Sequence, residues 1–316
     1  MYKVKSPLLF LVFNRPDLTK RVFDVIAAVQ PKVLYIASDG PRTHVEGERA
    51  KVEALRETIL QGVTWPCQVH TLFQEKNLGC KDAVSGAISW FFATERRGII
   101  LEDDCLPATS FFAYCDELLE RFESEPKVMS ISGYSCLPEE KTTGQDSYFF
   151  SKYFHCWGWA TWRRSWETYD KNINTWNTTI KNSFLGSIQR GWLFRNYWKK
   201  NFDRVAEGKI DTWDFQMVYN IWEREGLCCT PHINLVSNIG FGPEATHTKN
   251  AEDSNANMRQ RELDLPLAHP RDIRRNQPLD KVILKVGYRL TPSLFLRKKV
   301  NNSLSSLLAV LRKKDD

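Results

Sequence analysis

Three consecutive carboxylates, Glu102, Asp103 and Asp104, follow directly on the apolar run Gly98-Ile99-Ile100-Leu101. At the end of a buried strand such acids repel one another, and a divalent cation is the natural neutraliser. Hard oxygen ligands suit Mg2+ or Mn2+, which keep several waters and bridge one or two carboxylates to a substrate diphosphate. The plainer alternative is a solvated acidic turn leading into the next helix, whose N-terminus favours negative charge.

Other clusters carry complementary chemistry. Asp39, in Ser38-Asp39-Gly40-Pro41, can accept from a ribose hydroxyl or a uracil N–H, or simply satisfy the backbone of a Gly-Pro turn. Arg15, before Pro16, can meet a phosphate bidentately or stand as a surface residue at a helix start. Asp211-Thr212-Trp213-Asp214-Phe215-Gln216 opens an apparent helix with apolar positions Phe215, Val218, Tyr219 and Trp222. Asp211 or Thr212 reads as its N-cap. Asp214 then falls in the first turn as a carboxylate able to act as general base for a hydroxyl, although the helix dipole that keeps it ionised also lowers its basicity.

The stretch His155-Cys156-Trp157-Gly158-Trp159-Ala160-Thr161-Trp162-Arg163-Arg164-Ser165-Trp166 crowds four tryptophans together. Trp159, Trp162 and Trp166 recur at i, i+3 and i+7, which predicts a helix laying aromatics into a core. Aromatic faces also stack on the C–H faces of sugar rings, and Gly158 permits close backbone approach, so Trp157, Gly158 and Trp159 are equally acceptor-binding candidates. Further on, Asn234 to Gly242 leads to His247, which reaches a metal or diphosphate if that loop closes, or is an ordinary surface histidine.

The elements that must position these groups read as β-α-β-α: Leu8–Phe13, a helix over Asp17 to Val29, Val33–Ser38, then a helix over Glu46–Leu60. Val69–Phe73, a helix over Cys80–Phe92, Gly98–Leu101, a helix over Ser110–Phe122 with Thr109 or Ser110 as N-cap, and Val128–Ser132 continue the pattern. Short buried strands alternating with helices predict an α/β fold with a mostly parallel sheet covered on both faces. Ligands of such sheets sit beyond the carboxyl ends of the strands, where all the clusters above would converge.

At 316 residues with 42% hydrophobic and 26% charged, the chain is ordinary globular material. A net charge of +6 is too mild for a nucleic-acid binder, and it is concentrated at one end: residues 271–316 hold 12 Lys and Arg against 4 Asp and Glu. The expected divisions are 1–135 and 136–265, two halves of one domain, and 271–316, a basic helical tail. The tail segments Leu279–Leu290 and Leu294–Leu311 mix apolar and basic residues in a way that suits an anionic membrane surface, or a helix pair packed on the body. No apolar run approaches the roughly 18 residues that span a bilayer, and no signal-peptide core is visible, so the expected location is cytoplasmic, with peripheral contact at the inner face of the membrane. The eight cysteines form no C-x-x-C pair and read as reduced core thiols.

In this order, Phe13-Asn14-Arg15-Pro16, Ser38-Asp39-Gly40-Pro41, Lys76-Asn77-Leu78-Gly79-Cys80, Leu101-Glu102-Asp103-Asp104, Cys156-Trp157-Gly158-Trp159 and Thr212-Trp213-Asp214 resemble the GT-A-fold nucleotide-sugar glycosyltransferases, and within them bacterial relatives of the N-acetylglucosaminyltransferase I type. The resemblance implies a GT-A-type, Rossmann-like mixed sheet, with 1–135 the nucleotide-sugar-binding half and 136–265 the acceptor-binding half of the same catalytic domain. It further implies that Arg15 contacts the donor diphosphate, Asp39 the nucleoside, and Asp104 the Mn2+ or Mg2+, with Asp103 and Glu102 beside the ribose and sugar. Asn77, Lys81 and His247 join the donor-binding set, and Asp214 matches the catalytic base. Glu102 makes the triplet a Glu-Asp-Asp variant, and Phe215 stands where a second acid would follow the base. The implied partners are a nucleotide-sugar donor, UDP-linked by expectation, and a saccharide or lipid-linked acceptor of surface polysaccharide synthesis. The competing readings are a sugar nucleotidyltransferase using the same acidic site and a carbohydrate- or nucleic-acid-binding module built on the tryptophans.

Overall fold

The computed structural model describes residues 2–141, 146–242, 253 and 255–292. In chain order the elements are β1 (Leu8–Val12), α1 (Pro16–Val29), β2 (Val33–Ser38), α2 (Glu48–Gly62), β3 (Gln68–Phe73), α3 (Gly79–Thr94), β4 (Arg97–Glu102), β5 (Cys105–Pro107), α4 (Thr109–Arg121) and β6 (Val128–Ser132). There follow β7 (Tyr148–Ser151), β8 (Trp159–Trp162), α5 (Arg163–Trp166), α6 (Lys181–Ile188), α7 (Trp192–Ala206), α8 (Asp214–Glu223), β9 (Leu227–Pro231), β10 (Val236–Asn238) and α9 (Gln277–Val286). One eight-stranded sheet has the order β3-β2-β1-β4-β8-β6-β9-β7, and β5 pairs with β10 in a separate two-stranded sheet. Pairings among β3, β2, β1 and β4, and between β6 and β9, are parallel; β8 runs antiparallel to both β4 and β6, and β7 antiparallel to β9.

The apolar strand runs form a sheet covered on both faces because successive residues point to opposite sides. Leu9 and Leu11 of β1, with Tyr35 and Ala37 of β2, join one core cluster, while Leu8, Phe10 and Val12, with Leu34 and Ile36, join the other. Helix α1 starts with Pro16 in its first turn, where a missing N–H costs nothing, and buries Val22, Phe23, Ile26 and Val29 along one stripe. Helix α2 does the same with Val52, Leu55 and Ile59.

Three sequence expectations are corrected, and a fourth is decided between its two readings. Trp159, Trp162 and Trp166 do not share a helix. Trp159 and Trp162 lie on β8, inserted between β4 and β6, so the two-residue period sends them into opposite cores, and the single-turn α5 returns Trp166 to the side of Trp159. Neither Thr109 nor Ser110 caps α4 with its side chain. The distant Glu262 carboxylate accepts from the backbone N–H groups of both, at 2.9 and 2.8 Å.

Nor do Asp211 and Thr212 cap α8. The Asp211 carboxylate turns instead to the N-terminus of α3, accepting from Cys80 N–H at 2.9 Å and Lys81 N–H at 2.7 Å. Finally, of the two readings of the basic tail, α9 takes the one packed on the body and not the membrane one. Helix α9 packs on β7: Asn276 caps it, the buried Asp280 accepts from Ser151 Oγ at 2.6 Å and pairs with Arg275, and Ile283 and Leu284 enter the core. Its apolar face is therefore unavailable to a membrane. Residues 293–316, with the rest of the tail, lie outside the described residues. Among the described residues no helix is long and apolar enough to cross a membrane, and all eight cysteines are free thiols.

Candidate active site

The ends of β1, β2 and β4 deliver the acidic triplet and its surroundings to one edge of the sheet. Glu102 is the last residue of β4, in register with Leu11 of β1. Asp103, buried, accepts from Phe13 N–H at 3.1 Å. Asp104 accepts from Arg15 Nη1 at 2.8 Å, with both side chains largely shielded from solvent at 13% and 18% exposure. Its backbone carbonyl accepts from Ile239 N–H at 2.8 Å, which ties the triplet to the turn after β10. That turn needs glycine at 240, because a Cβ there would lie 2.1 Å from Asp104 Oδ2.

Burial is the first cause that pushes the Glu102 carboxyl well up, followed by the charges of Asp104, Asp103 and Asp214; Arg15 opposes it. Asp103 is raised by burial and then by Asp104, against the pull of Arg15 and Phe13 N–H. A concentration of acids that cannot all ionise comfortably is what a divalent cation would relieve. Among the described residues no three His, Cys, Asp or Glu side chains converge as a ready cation cage. The donor set fits an ion held by one or two carboxylates and completed by water and substrate phosphate, with Asp104 Oδ2 shared with the Arg15 guanidinium.

Asp39 and Asn77 come together, but as a bracket within the fold. Asp39 Oδ1 accepts from Gly40 and Leu78 N–H at 2.8 and 2.9 Å, and Oδ2 from Gly79 N–H at 3.1 Å and Asn77 Nδ2 at 2.9 Å. Both oxygens are thus fully engaged in holding the β3–α3 turn, which is the plainer of the two readings its sequence allowed. Lys81 donates through Nζ to Asn172 Oδ1 at 3.1 Å. Glu48, which the sequence did not single out, is the hidden organiser of this edge. Buried at the start of α2, it accepts from Asn14 Nδ2 at 2.7 Å and from Arg42 N–H at 2.6 Å while pairing with the Arg42 guanidinium. Only an acid at a helix start marked it, a signal too common to stand out.

Asp214 is the first residue of α8 and accepts from Thr212 Oγ1. It lines a cavity of about 250 Å³ with Trp157, His155, Tyr197, Phe215 and Tyr288, and its charge reaches Glu102. The base candidate therefore lines an aromatic cavity while its charge bears on the acidic triplet. Trp157 flanks that cavity, edge-on to Tyr134 at 4.6 Å and to Phe241 at 5.6 Å between ring centroids.

Gly158 and Trp159 do not join Trp157 as ligand-facing residues. Gly158 adopts φ +60°, and a Cβ on it would lie 2.7 Å from Val236 Cγ2, so its smallness serves packing against β10. Trp159 is fully buried and stacks on Trp213 at 5.5 Å, leaving no face for a sugar. His247 lies outside the described residues.

No protein-family model matches this chain, and no curated protein matches it. Among solved structures it is similar to HddC from Yersinia pseudotuberculosis, at 8% identity over 46% of this chain and 59% of that one, with a TM-score of 0.27. It is also similar to 4-diphosphocytidyl-2C-methyl-D-erythritol synthase from Anaerococcus prevotii, at 5% identity over 71% of this chain and 88% of that one, TM-score 0.37. Mouse xyloside xylosyltransferase 1 is a third, at 13% identity over 70% and 82%, TM-score 0.36. Likenesses this loose assign neither substrate nor activity to the chain.

Proposed function

We propose that this protein is a metal-dependent inverting glycosyltransferase that moves a sugar from a nucleoside-diphosphate donor, UDP-linked by preference, to a hydroxyl of a saccharide or lipid-linked acceptor. The observation that supports the reading is that Asp214 lines the aromatic cavity while its charge bears on Glu102 of the acidic triplet. The ordered motifs that resemble GT-A enzymes support the same assignment.

In this mechanism Asp214 accepts the proton of an acceptor hydroxyl held in the cavity, while that oxygen attacks the anomeric carbon from the face opposite the departing diphosphate. Thr212 orients the carboxylate from its own loop. Mn2+ or Mg2+ at Asp104 would supply positive charge where the leaving diphosphate gains negative charge. Arg15, beside Asp104, is placed to share the diphosphate.

Thermal-shift titration with UDP-, GDP-, CMP- and dTDP-sugars, with and without Mn2+, tests the donor site, since a ligand that binds only the folded form raises its melting temperature. A metal-dependent shift with one nucleotide class, lost in Asp104→Ala, is the expected result. No shift with any donor would turn the reading toward a saccharide-binding module. Release of pyrophosphate in place of a nucleoside diphosphate would identify a sugar nucleotidyltransferase.

A further inference from the structure

The cavity beside Asp214 has features that the donor chemistry does not use. Seven of its lining side chains are Phe, Tyr or Trp, and among the described residues no Lys or Arg lines it. Asp214 is its sole carboxylate. Its other polar groups are uncharged. Burial pushes the His155 imidazole down to about 4 and the Tyr197 phenol up to about 12, so both are neutral at pH 7. His155 Nε2 is buried with no hydrogen-bond partner among the described residues. Tyr134 O–H donates to Asn255 Oδ1 at 3.0 Å on the same wall.

One wall comes from the C-terminal segment. After α9 the chain turns through Gly287 into Tyr288, whose ring meets Trp198 at 5.2 Å, Tyr153 at 5.5 Å and Tyr197 at 5.9 Å and lies nearly parallel to His155 at 6.2 Å. The next residue, Arg289, pairs with Asp253 at 3.2 Å, two residues before Asn255. The C-terminal segment therefore lines the cavity that Asp214 also lines.

We propose that this cavity is the acceptor subsite, that it takes a pyranose ring free of negative charge, and that Tyr288 holds the ring while Asp214 turns an anion away. Aromatic faces favour the C–H faces of a sugar ring. A uronate or phosphorylated sugar would place its charge near Asp214, and among the described residues no Lys or Arg lines the cavity to pair with it, so the desolvation cost is large. Calling the site an acceptor subsite rests on the transferase reading above; its selectivity against an anionic ring does not.

The test uses the full chain and the methyl glycosides of glucose, N-acetylglucosamine, glucuronic acid and glucosamine, read by tryptophan fluorescence and saturation-transfer NMR. Glucoside or N-acetylglucosaminide should bind roughly tenfold or more tighter than the glucuronide, by the penalty for an unpaired buried charge. Tyr288→Ala should weaken neutral binding about tenfold, and Tyr288→Phe, which keeps the ring, by less than about threefold. Asp214→Asn should narrow the gap between glucoside and glucuronide. The cationic glucosaminide, able to pair with Asp214, should bind at least as tightly as the glucoside. Absence of glycoside binding by the folded wild type, unchanged binding in Tyr288→Ala, or a glucuronide that binds as tightly as the glucoside would each overturn the proposal. A parallel titration with UDP and Mn2+ separates the two readings. Nucleotide binding without glycoside binding sinks the subsite alone, whereas glycoside binding without nucleotide binding keeps the pocket and sinks the transferase.

Discussion

The Asp211 carboxylate grips the N-terminus of α3 through Lys81 N–H, 2.7 Å away, and so fastens the loop that carries Asp214 to the N-terminal half of the fold. Two orphan donors of α3 are satisfied by a residue 130 positions on in the chain. Asp211→Ala should therefore lower stability by roughly 1 kcal/mol, as lost helix caps do, and lower kcat more than it raises KM, because Asp214 loses its anchor. Asp211→Asn, which keeps one accepting oxygen, should fall between. Chemical denaturation paired with steady-state kinetics checks both, and a stability loss with unchanged kcat would make Asp211 a cap only.

Arg15 and Asp104 define a second relationship. The guanidinium is the nearest positive charge offsetting the triplet, so Arg15→Ala leaves the acids more dependent on an external cation. The melting-temperature rise given by Mn2+ should be larger in Arg15→Ala than in the wild type and smallest in Asp104→Ala. Equal shifts in all three proteins would place any Mn2+ site elsewhere.

Asp214→Asn preserves size and can still accept from Thr212, but it cannot take up a proton as a carboxylate does. A loss of about 10²- to 10⁴-fold in kcat is expected, with nucleotide affinity within about twofold of wild type. Single-turnover kinetics with the identified donor, alongside calorimetric titration of the nucleotide, separates the two quantities. Near-wild-type turnover would remove Asp214 from the chemistry.

Glu48 predicts an acid-side dependence. Hydrogen bonds from Arg42, opposed by burial, hold its carboxyl at about 2, below the ordinary 4.5. The folded state therefore binds this proton less readily than the unfolded state, so the stabilisation is present above pH 4.5 and is lost as pH falls toward 2. Glu102 and Asp103, whose carboxyls are raised, contribute with the opposite sign, which is why the comparison must be made between wild type and variant. Glu48→Gln should cost roughly 1–3 kcal/mol at pH 7, the price of an imperfectly satisfied buried network, and the difference from wild type should shrink as pH drops. Thermal unfolding of both proteins from pH 3 to 7 measures it; a constant difference would assign Glu48 a packing role alone.

The sequence by itself determined the β-α-β-α order and the buried strands β1, β2, β4 and β6, because those signals are local: apolar runs of strand length, amphipathic stripes of helix length, and a proline opening α1; β3 is half-exposed at the sheet edge, and the short β5 carries no such signal. It also placed Glu102, Asp103 and Asp104 at a strand end and Asp214 in the first turn of a helix, since each position depends only on neighbouring residues. What the tertiary structure decided was every partner lying far along the chain. The i, i+3, i+7 tryptophans satisfied helical spacing, yet β8 exists because β4 and β6 offer backbone partners that a single stretch of sequence cannot reveal. Asp211 and Glu262 cap helices 130 and 152 or more residues away, and Asp39 spends its lone pairs on the next loop. Tyr288 reaches the cavity of Asp214 only because buried Asp280 and Ile283 seat α9 on β7. Chain-local preferences decide which elements form; which side chains meet is decided by the burial and pairing of elements that are distant in sequence.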